Sequence, residues 1–439
     1  MNVRELTLAL LNDYEISGKY VNLSLSSHLT DKLSREERAF LTALLYTTVE
    51  RKITYDYYIG AISGRSLDKI DPSTLNILRI GMCQIVHIDS IPDHAAVNET
   101  VALAKNSGEK SFVNGVLRQA ARLKEQGALP LPPREKKVSR YLSVKYSFPM
   151  WTVKHFINLF GEEDTEKLLD RFNTARYTDL TVNLTKTSKE ALASALNDAG
   201  YKAESFVDTP LSIRVDGSVN PKRLPGFDDG LFFVQDAACA ISIEALEVKG
   251  GEKIIDVCAC PGGKTFAAAI LSRTGEVQAF DIHESKLSLI EDGRDRLGLS
   301  NVKVGERDAT KSDEELFGTF DRVICDVPCS GLGVLAKKPD IRHKDNQSLQ
   351  NLPELQYEIL CASSNYLKDD GILVYSTCTL NPEENEKVVE RFISEHNDFC
   401  AVDFAVGDIF SDGGMLTLLP HVHGTDGFFV AKIKKTKNN

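Results

Sequence analysis

The fold is decided by the stretch Ile254-Ile-Asp-Val-Cys-Ala-Cys-Pro-Gly-Gly-Lys-Thr265. Its first half is apolar and typical of a buried strand, whereas Pro261, Gly262 and Gly263 end that strand and a helix begins at Lys264. Two adjacent glycines let a ligand approach the backbone closely, and the free N–H groups of a helix start can bind a carboxylate or a phosphate. This segment, the glycine turn, therefore predicts a ligand site.

Two other interpretations of the glycine turn are open at this point. It could be an ordinary connection between a strand and a helix. A phosphate-binding P-loop is disfavoured, because such a loop has glycine five residues before its Gly-Lys pair and that position is Cys258.

Strands and helices alternate from residue 253 onward. This alternation predicts a mainly parallel sheet with helices on both faces, in which ligands bind beyond the carboxyl ends of the strands. The predicted strands are residues 253–257, 276–281, 302–307, 321–326 and 371–377, and the clearest helices are residues 284–297 and 349–366.

An acidic residue follows each of the next two strands. Asp281 can accept both hydroxyl protons of a ribose, and Asp308 is placed to accept a donor from an adenine. Taken singly, either could be a helix cap or a surface turn, but together with the glycine turn they describe an adenosine pocket. Hydride-transfer enzymes would favour a Gly-x-Gly-x-x-Gly pattern, which the sequence lacks.

Two cysteines leave the ends of the following strands, in Asp326-Val-Pro-Cys329-Ser-Gly and Tyr375-Ser-Thr-Cys378-Thr-Leu-Asn-Pro-Glu-Glu-Asn385. A free thiol is most often a small buried hydrophobe. Here both thiols lie where the sheet faces its ligand, and the neighbours of Cys378 are polar. A thiol in a polar loop can ionise and act as a nucleophile. We therefore interpret both cysteines as chemical.

The residues before the sheet indicate two further regions. Residues 1 to about 125 are predicted to be helical, with a capping box formed by Ser34 and Glu37. The proline-rich residues 124–137 predict a linker. A small mixed unit follows, with a strand at residues 180–184 and a helix from Ser188 to Ala199.

Composition sets wide limits on the function. The 439 residues predict two or three domains, and 42% hydrophobic with 26% charged side chains excludes collagen and disordered tails as the main content. Nine cysteines without a Cys-x-x-Cys pair indicate reduced thiols, so neither disulfides nor a metal is expected. The net charge of −11 neither excludes nor supports RNA binding, because the acidic surplus lies almost wholly after residue 245.

No apolar run approaches the roughly 18 residues of a membrane span. The start Met1-Asn-Val-Arg-Glu5 lacks the plan of a signal peptide. We expect a cytoplasmic protein without a membrane partner.

Three of these segments resemble the marks of the RNA (cytosine-5)-methyltransferases of the NOL1/NOP2/Sun family. That family has a Cys-Ala-Ala-Pro-Gly-Gly-Lys turn, an Asp-Ala-Pro-Cys-Ser loop and a Ser-Thr-Cys loop followed by Pro-Glu-Glu-Asn. The resemblance continues to His423-Gly-Thr-Asp-Gly-Phe-Phe429 and includes Val234-Gln-Asp236 and Pro149-Met-Trp151. Upstream, Ile91-Pro-Asp-His-Ala-Ala-Val-Asn-Glu99 and Phe112-Val-Asn-Gly-Val-Leu-Arg118 resemble a NusB-like helical domain. Departures are Cys260 and Val327, where the family has alanine, and Thr181, where it has arginine.

The resemblance implies an all-α NusB-like domain over residues 1–127, a small α/β middle domain over 138–235 and an α/β Rossmann-like class I methyltransferase domain over 236–439. It implies S-adenosylmethionine as cofactor. The expected cofactor-binding residues are Cys258, Ala259, Cys260, Pro261, Gly262, Gly263, Lys264, Asp281, Asp308 and Asp326.

The resemblance also implies the catalytic roles. Cys378 would add to carbon 6 of the cytosine, and Cys329 would help to remove the hydrogen of carbon 5. Asp326 would contact ring nitrogen 3 and the amino group as a carboxyl whose proton is kept by burial, and Lys264 could support it. All four residues lie in the two cysteine loops or in the glycine turn.

The implied partner is RNA, above all unassembled 16S ribosomal RNA, bound by a monomer. Arg79, Arg118 and Arg122 are expected phosphate contacts outside the acidic domain. Two alternatives stay open: a cytosine-5 methyltransferase acting on transfer RNA, and a non-catalytic RNA-binding factor of the NusB kind.

Overall fold

The computed structural model describes residues 2–17, 33–175, 177–206, 209–343 and 351–437. These residues form two compact units. One contains the described residues as far as Asn173 together with residues 337–343, and the other contains the remaining residues. The first unit is helical, as the sequence predicts for its first 125 residues.

Helical periodicity builds the first unit around one apolar core. The predicted capping box is confirmed, because the Ser34 hydroxyl accepts the Glu37 N–H and the Glu37 carboxylate accepts the Ser34 N–H. Residues 126–137 contain no helix, which agrees with the predicted linker. The helices are α1 (Val3–Ser17), α2 (Arg35–Glu50), α3 (Lys52–Ser63), α4 (Pro72–His87), α5 (Asp93–Val101), α6 (Ser107–Glu125), α7 (Val138–Tyr146) and α8 (Met150–Thr174).

A distant piece of the chain completes this unit. Residues 337–343 include the short helix α13 (Pro339–Arg342), and the side chain of Arg342 is fully buried. Its guanidinium lies 4.3 Å from the centre of the Phe148 ring and donates to Asn173 Oδ1 at 2.8 Å. The neighbouring His343 ring contacts the carbonyl oxygen of Val49 at 2.9 Å.

The second unit begins with a small antiparallel sheet in the strand order β2-β3-β1-β4. Its strands are β1 (Tyr177–Val182), β2 (Ala203–Glu204), β3 (Ser212–Asp216) and β4 (Phe232–Val234), and helix α9 (Lys189–Asp198) packs on it. The predicted helix is confirmed, since the Ser188 hydroxyl accepts the Ala191 N–H at its start. The predicted strand begins three residues earlier than expected.

The larger sheet has the strand order β10-β14-β9-β8-β5-β6-β7, with β13 paired to β14. The five predicted strands are confirmed within a few residues as β5 (Ile254–Asp256), β6 (Val277–Asp281), β7 (Val302–Glu306), β8 (Phe320–Asp326) and β9 (Leu367–Thr377). These five are parallel, and β14 is antiparallel to β9. The chain runs from β5 outward to β6 and β7 and then crosses back to β8 and β9 on the other side. Because the strand order thus reverses between β5 and β8, a ligand crevice is expected at their carboxyl ends.

Helices cover both faces of this sheet, as expected. They are α10 (Ala237–Ala245), α11 (Gly263–Ser272), α12 (Glu284–Leu297), α14 (Leu352–Ser364) and α15 (Glu386–Glu395). The short helix α16 (Pro420–His423) precedes β14, and the predicted start of α14 at residues 349–350 lies outside the described residues.

Sequence patterns did not predict the last strands. These are β10 (Phe399–Ala401), β11 (Ala405–Val406), β12 (Ile409–Phe410), β13 (Met415–Leu418) and β14 (Phe428–Lys435). Within the described residues, none of the helices is both long and apolar enough to cross a membrane.

Arg79 does not lie on a free surface. Its guanidinium donates to both carboxylate oxygens of Asp56, at 2.7 and 2.8 Å, and to Glu15 at 3.0 Å. Its side chain is only 8% exposed. The expectation that Arg79 contacts phosphate is therefore wrong, whereas Arg118 and Arg122 are exposed on α6.

We expect Arg79→Ala to lower the free energy of unfolding by about 3 kcal/mol, because it leaves the Asp56 carboxylate without its cation in a largely buried place. Urea denaturation followed by circular dichroism measures the change. The matched variant Arg118→Ala should change stability by less than about 0.5 kcal/mol. Equal effects of the two substitutions would contradict the structural role of Arg79.

Candidate active site

The glycine turn begins where β5 ends. Gly262 has a φ of 106°, in the left-handed region that favours glycine, and a Cβ atom there would lie 2.5 Å from the Phe266 ring. Helix α11 starts at the next residue, so its first N–H groups face the crevice. Glycine at position 262 therefore lets the turn pack closely against the Phe266 ring.

The two expected acidic residues line the same edge of the sheet. Asp281 ends β6, and its carboxylate accepts the N–H of Cys260 at 3.2 Å, which joins it to the glycine turn. Asp308 follows β7 and accepts two bonds from Thr310. The Thr310 hydroxyl, with Lys311, holds the pKa of Asp308 below its usual value.

These residues fit S-adenosylmethionine. The N–H groups at the start of α11 can bind a carboxylate of the ligand, and the adjoining carboxylates can accept further bonds, since each has about four lone-pair positions. Asp281 and Asp308 offer acceptors to hydroxyl and amino donors such as those of an adenosine.

The register of β8 and β9 brings the two predicted thiols together. These parallel strands pair Asp326 with Ser376, so the loops after them start side by side. The Sγ atoms of Cys329 and Cys378 lie 3.0 Å apart, and the backbone N–H of Cys378 donates to Cys329 Sγ at 3.3 Å. The hydrogen bond to Cys378, more than burial, raises the pKa of Cys329.

Asp326 lies next to this pair and receives two donors. Lys264 Nζ donates to one carboxylate oxygen at 2.7 Å, and the Ser376 hydroxyl donates to the other at 2.7 Å. Burial alone would lower the pKa of Lys264, but the carboxylate of Asp326 raises it. One of the two donors is the ammonium of Lys264, so Asp326 lies in a salt bridge, and its side chain is 31% exposed. The expected burial of the Asp326 carboxyl is therefore incomplete.

Comparisons with known proteins agree with the whole plan of the chain. Residues 243–434 match the family model "16S rRNA methyltransferase RsmB/F", residues 1–122 match the NusB family, and residues 148–221 match the RsmF/B-like ferredoxin-like domain. A probable ribosomal RNA small subunit methyltransferase B of Synechocystis is 37% identical over 99% of this chain and 100% of the relative. The corresponding protein of Bacillus subtilis is 34% identical over 99% of both chains.

The chain belongs to the ribosomal RNA small subunit methyltransferase B family. The expected fold class and the expected enzyme class, an S-adenosylmethionine-dependent RNA methyltransferase, are thereby confirmed. The crystal structure of PH0851 shares the fold, with a TM-score of 0.77 and 24% identity over 99% of this chain and 97% of its own. A methyltransferase homologue from Pyrococcus horikoshii has a TM-score of 0.59 and 28% identity over 68% of this chain and 99% of its own.

In this family member, the other thiols near the crevice are held as thiols. Burial raises the pKa of Cys239 to about 12, and it also raises the pKa of Cys258 and Cys325. Cys239 Sγ lies 3.5 Å from Lys264 Nζ. Among the described residues, no group of three or more His, Cys, Asp or Glu side chains is placed to hold a metal ion.

Thr181, which departs from the family pattern, has a clear partner. Its hydroxyl donates to Gln235 Oε1 at 3.0 Å, and the amide of Gln235 lies against Gly263, where a Cβ atom would be 2.7 Å from Gln235 Nε2. Sequence reasoning missed this pair, although Val234-Gln-Asp236 was a signal. Thr181 therefore supports the glycine turn through Gln235.

Two glycines brace the Cys378 loop, and sequence reasoning also missed their role. The N–H of Gly333 donates to the Cys378 carbonyl at 3.0 Å, and the N–H of Gly427 donates to the Gly333 carbonyl at 2.9 Å. A Cβ atom on Gly333 would lie 1.8 Å from the carbonyl oxygen of Gly427. Only glycine permits this approach.

Asp256 is a buried acid at the end of β5. It accepts the Thr265 hydroxyl at 2.7 Å, while its Oδ1 atom has no hydrogen-bond partner in the described structure. Burial, reinforced by Asp326, raises the pKa of Asp256 to about 7. The unfolded chain releases this proton near pH 4. Stability from this group is therefore full at low pH and is lost as the pH rises from about 4 to about 7.

We expect Asp256→Asn to remove this loss. Relative to the unsubstituted chain, the free energy of unfolding of the variant should rise by about 2 to 3 kcal/mol between pH 5 and pH 8. Denaturation at both pH values measures the difference. Asp321→Asn, at the opposite end of the sheet, should not reproduce it, because the pKa of Asp321 is lowered. A pH-independent difference for Asp256→Asn would contradict the raised pKa.

Proposed function

We propose that the chain transfers a methyl group from S-adenosylmethionine to carbon 5 of a cytosine in unassembled 16S ribosomal RNA, acting in the cytoplasm as a monomer through a covalent cysteine–cytosine intermediate. The observation that carries the proposal is the pair of sulfur atoms 3.0 Å apart beside the Asp326–Lys264 salt bridge. A methyl transfer without a nucleophile would have no use for the pair.

Cys378 is the proposed nucleophile. Carbon 5 of cytosine is a poor nucleophile, but addition of a thiolate to carbon 6 converts the ring into an enamine. In this proposal Cys329 is the donor in the 3.0 Å contact between the two sulfur atoms, which would favour the thiolate of Cys378. When bound, S-adenosylmethionine supplies the electrophilic methyl group that carbon 5 then takes.

Cys329 is the proposed base for the last step. Once Cys378 is bonded to carbon 6 its sulfur is a neutral thioether, so the chief cause that raises the pKa of Cys329 is gone. Cys329 can then lose its own proton to water and, as a thiolate, take the proton of carbon 5 directly or through a water molecule. The electron pair of the C5–H bond re-forms the ring double bond, and the bond from Cys378 to carbon 6 breaks.

Asp326 and Lys264 are proposed to hold the base. A carboxylate oxygen of Asp326 can accept the amino group of cytosine, and the ammonium of Lys264, 2.7 Å away, offsets negative charge that develops on the ring. A stacked cytosine cannot be reached from both faces, so the base must be flipped out or lie in a loop, at a cost of a few kcal/mol.

The cofactor is proposed to bind along the glycine turn. Residues 258–264 would hold its amino acid portion, Asp281 the ribose hydroxyls and Asp308 the adenine. Asp326 would lie next to the end of the cofactor that carries the methyl group. Each contact matches a donor of the cofactor with a carboxylate, or a carboxylate of the cofactor with the N–H groups at the start of α11.

The domain plan supports the choice of RNA. The relatives from Synechocystis and Bacillus subtilis are named for small-subunit ribosomal RNA and match the chain over nearly its whole length. We propose the division into residues 1–127, 138–235 and 236–439, with the first part selecting the RNA. Arg118 and Arg122, exposed one turn apart on α6, would contact phosphates.

Substitution of the two cysteines by alanine should block different steps of the reaction. Cys378→Ala should reduce methyl transfer by at least about 100-fold, because carbon 5 is never activated. Cys329→Ala should allow addition and methylation but stall release, so a protein–RNA adduct should survive denaturing electrophoresis. Labelled cofactor and gel mobility measure both results.

The double variant Cys378→Ala/Cys329→Ala should form no adduct. Cys361→Ala, a half-buried thiol on α14, serves as the matched control and should methylate RNA normally. An adduct in the double variant, or none in Cys329→Ala, would refute this division of roles.

The substrate can be tested with the full chain and labelled cofactor. Naked 16S ribosomal RNA, assembled small subunits and total transfer RNA are offered in parallel, and we expect label mainly in naked 16S RNA. Assembly would bury the base and obstruct a large enzyme. Label chiefly in transfer RNA would support the first alternative, and RNA binding without any methylation would support a non-catalytic factor.

A further inference from the structure

Between the two cysteine loops lies the carboxylate of Glu384, which is completely buried. It accepts three hydrogen bonds from three different parts of the fold. The backbone N–H of Ser330 donates at 2.8 Å, Gln356 Nε2 at 3.0 Å and Asn381 Nδ2 at 3.0 Å. The donors belong to the Cys329 loop, to α14 and to the Cys378 loop.

Among the described residues, these three donors to the Glu384 carboxylate are all neutral groups. Burying a carboxylate in this way is costly unless its oxygens are well hydrogen-bonded. Bonds to an ionised acceptor are about twice as strong as bonds between neutral groups. Two carboxylate oxygens can also accept all three donors, whereas an amide has a single acceptor oxygen.

The surrounding bonds restrain the same two loops. Gln356 donates to the Pro328 carbonyl at 2.8 Å as well as to Glu384, so two acceptors fix the orientation of its amide. The hydroxyls of Ser330 and Thr379 lie 2.6 Å apart and join the loops directly. The Tyr375 hydroxyl donates to the backbone carbonyl of Glu384 at 2.6 Å.

From this geometry we infer that Glu384 is a positioning residue that sets the distance between the sulfur atoms of Cys329 and Cys378. Ser330 directly follows Cys329, and Asn381 lies three residues after Cys378, so the carboxylate ties each thiol to one shared point. The catalytic meaning of this inference rests on the proposed function. The structural part, the spacing of the two thiols, does not.

A chemical crosslink measures that spacing without RNA or cofactor. Diamide takes two hydrogen atoms from a pair of thiols, forms a disulfide and becomes the hydrazine. The rate of the Cys329–Cys378 crosslink is followed by mass spectrometry of non-reduced digests. The unsubstituted chain should form the crosslink readily, because the sulfur atoms are already 3.0 Å apart.

Exchanging the donor and the acceptor between Asn381 and Glu384 tests whether their hydrogen bond sets the spacing of the two thiols. Asn381→Asp removes a donor and places a second carboxylate against Glu384, so the crosslinking rate should fall at least 10-fold. In the double variant Asn381→Asp/Glu384→Gln, the amide introduced at position 384 can donate to the carboxylate introduced at position 381. Most of the crosslinking rate should therefore return. Glu383→Gln is the matched control, because the neighbouring Glu383 side chain is 59% exposed and pairs with Lys387. It should crosslink like the unsubstituted chain.

The outcomes separate this inference from the proposed function. Loss in Asn381→Asp with recovery in the double variant supports positioning, even if no RNA is ever methylated. An unchanged rate in Asn381→Asp, or no crosslink in the unsubstituted chain, overturns it. If Asn381→Asp does not fold, as judged by cofactor titration and thermal unfolding, Glu384→Gln alone is used. A wild-type rate there together with wild-type methylation also overturns the inference.

If methylation is observed, the turnover number should fall with the crosslinking rate while the Michaelis constant for S-adenosylmethionine stays unchanged. A purely structural role would change both parameters.

Discussion

Strands β8 and β9 run parallel in a register that places Asp326 beside Ser376. The loops that follow carry one cysteine each, and their sulfur atoms meet because both strands end at the same level. A shift of one residue would turn every side chain of a strand to the opposite face. The hydrophobic contacts of these strands with α14 and α15 thus have a chemical consequence, since they hold that register.

Charge is arranged around this register in two ways. On one side Asp326 is paired with Lys264, and burial raises the pKa of the nearby Asp256 to about 7, so that its charge is only partial near neutral pH. On the other side, the donors that Glu384 receives from the described residues are neutral. One carboxylate is therefore offered to the crevice together with a cation, while the other is sealed within the protein. Two chemically identical groups gain different roles from their neighbours alone.

The sequence predicts the catalytic sheet well, because its five parallel strands are continuous apolar runs that end in motifs. The same reasoning names Cys329, Cys378, Asp326 and the glycine turn, which the structure brings to one edge of the sheet, while their roles stay predictions. It cannot find the late antiparallel strands, whose short lengths carry little periodicity. It misjudges Arg79, because a helical arginine looks alike in sequence whether it faces water or a carboxylate. Contacts such as that of Thr181 with Gln235 depend on strands distant in sequence.

The helical unit includes residues 337–343, which follow β8 in the chain. During synthesis, the ribosome has therefore already produced the first four parallel strands of the catalytic sheet before Arg342 can reach Phe148 and Asn173. Until then Phe148 and Asn173 lack the contacts of a fully buried guanidinium. The final set of contacts in the helical unit is thus complete only after most of the parallel sheet has been synthesised.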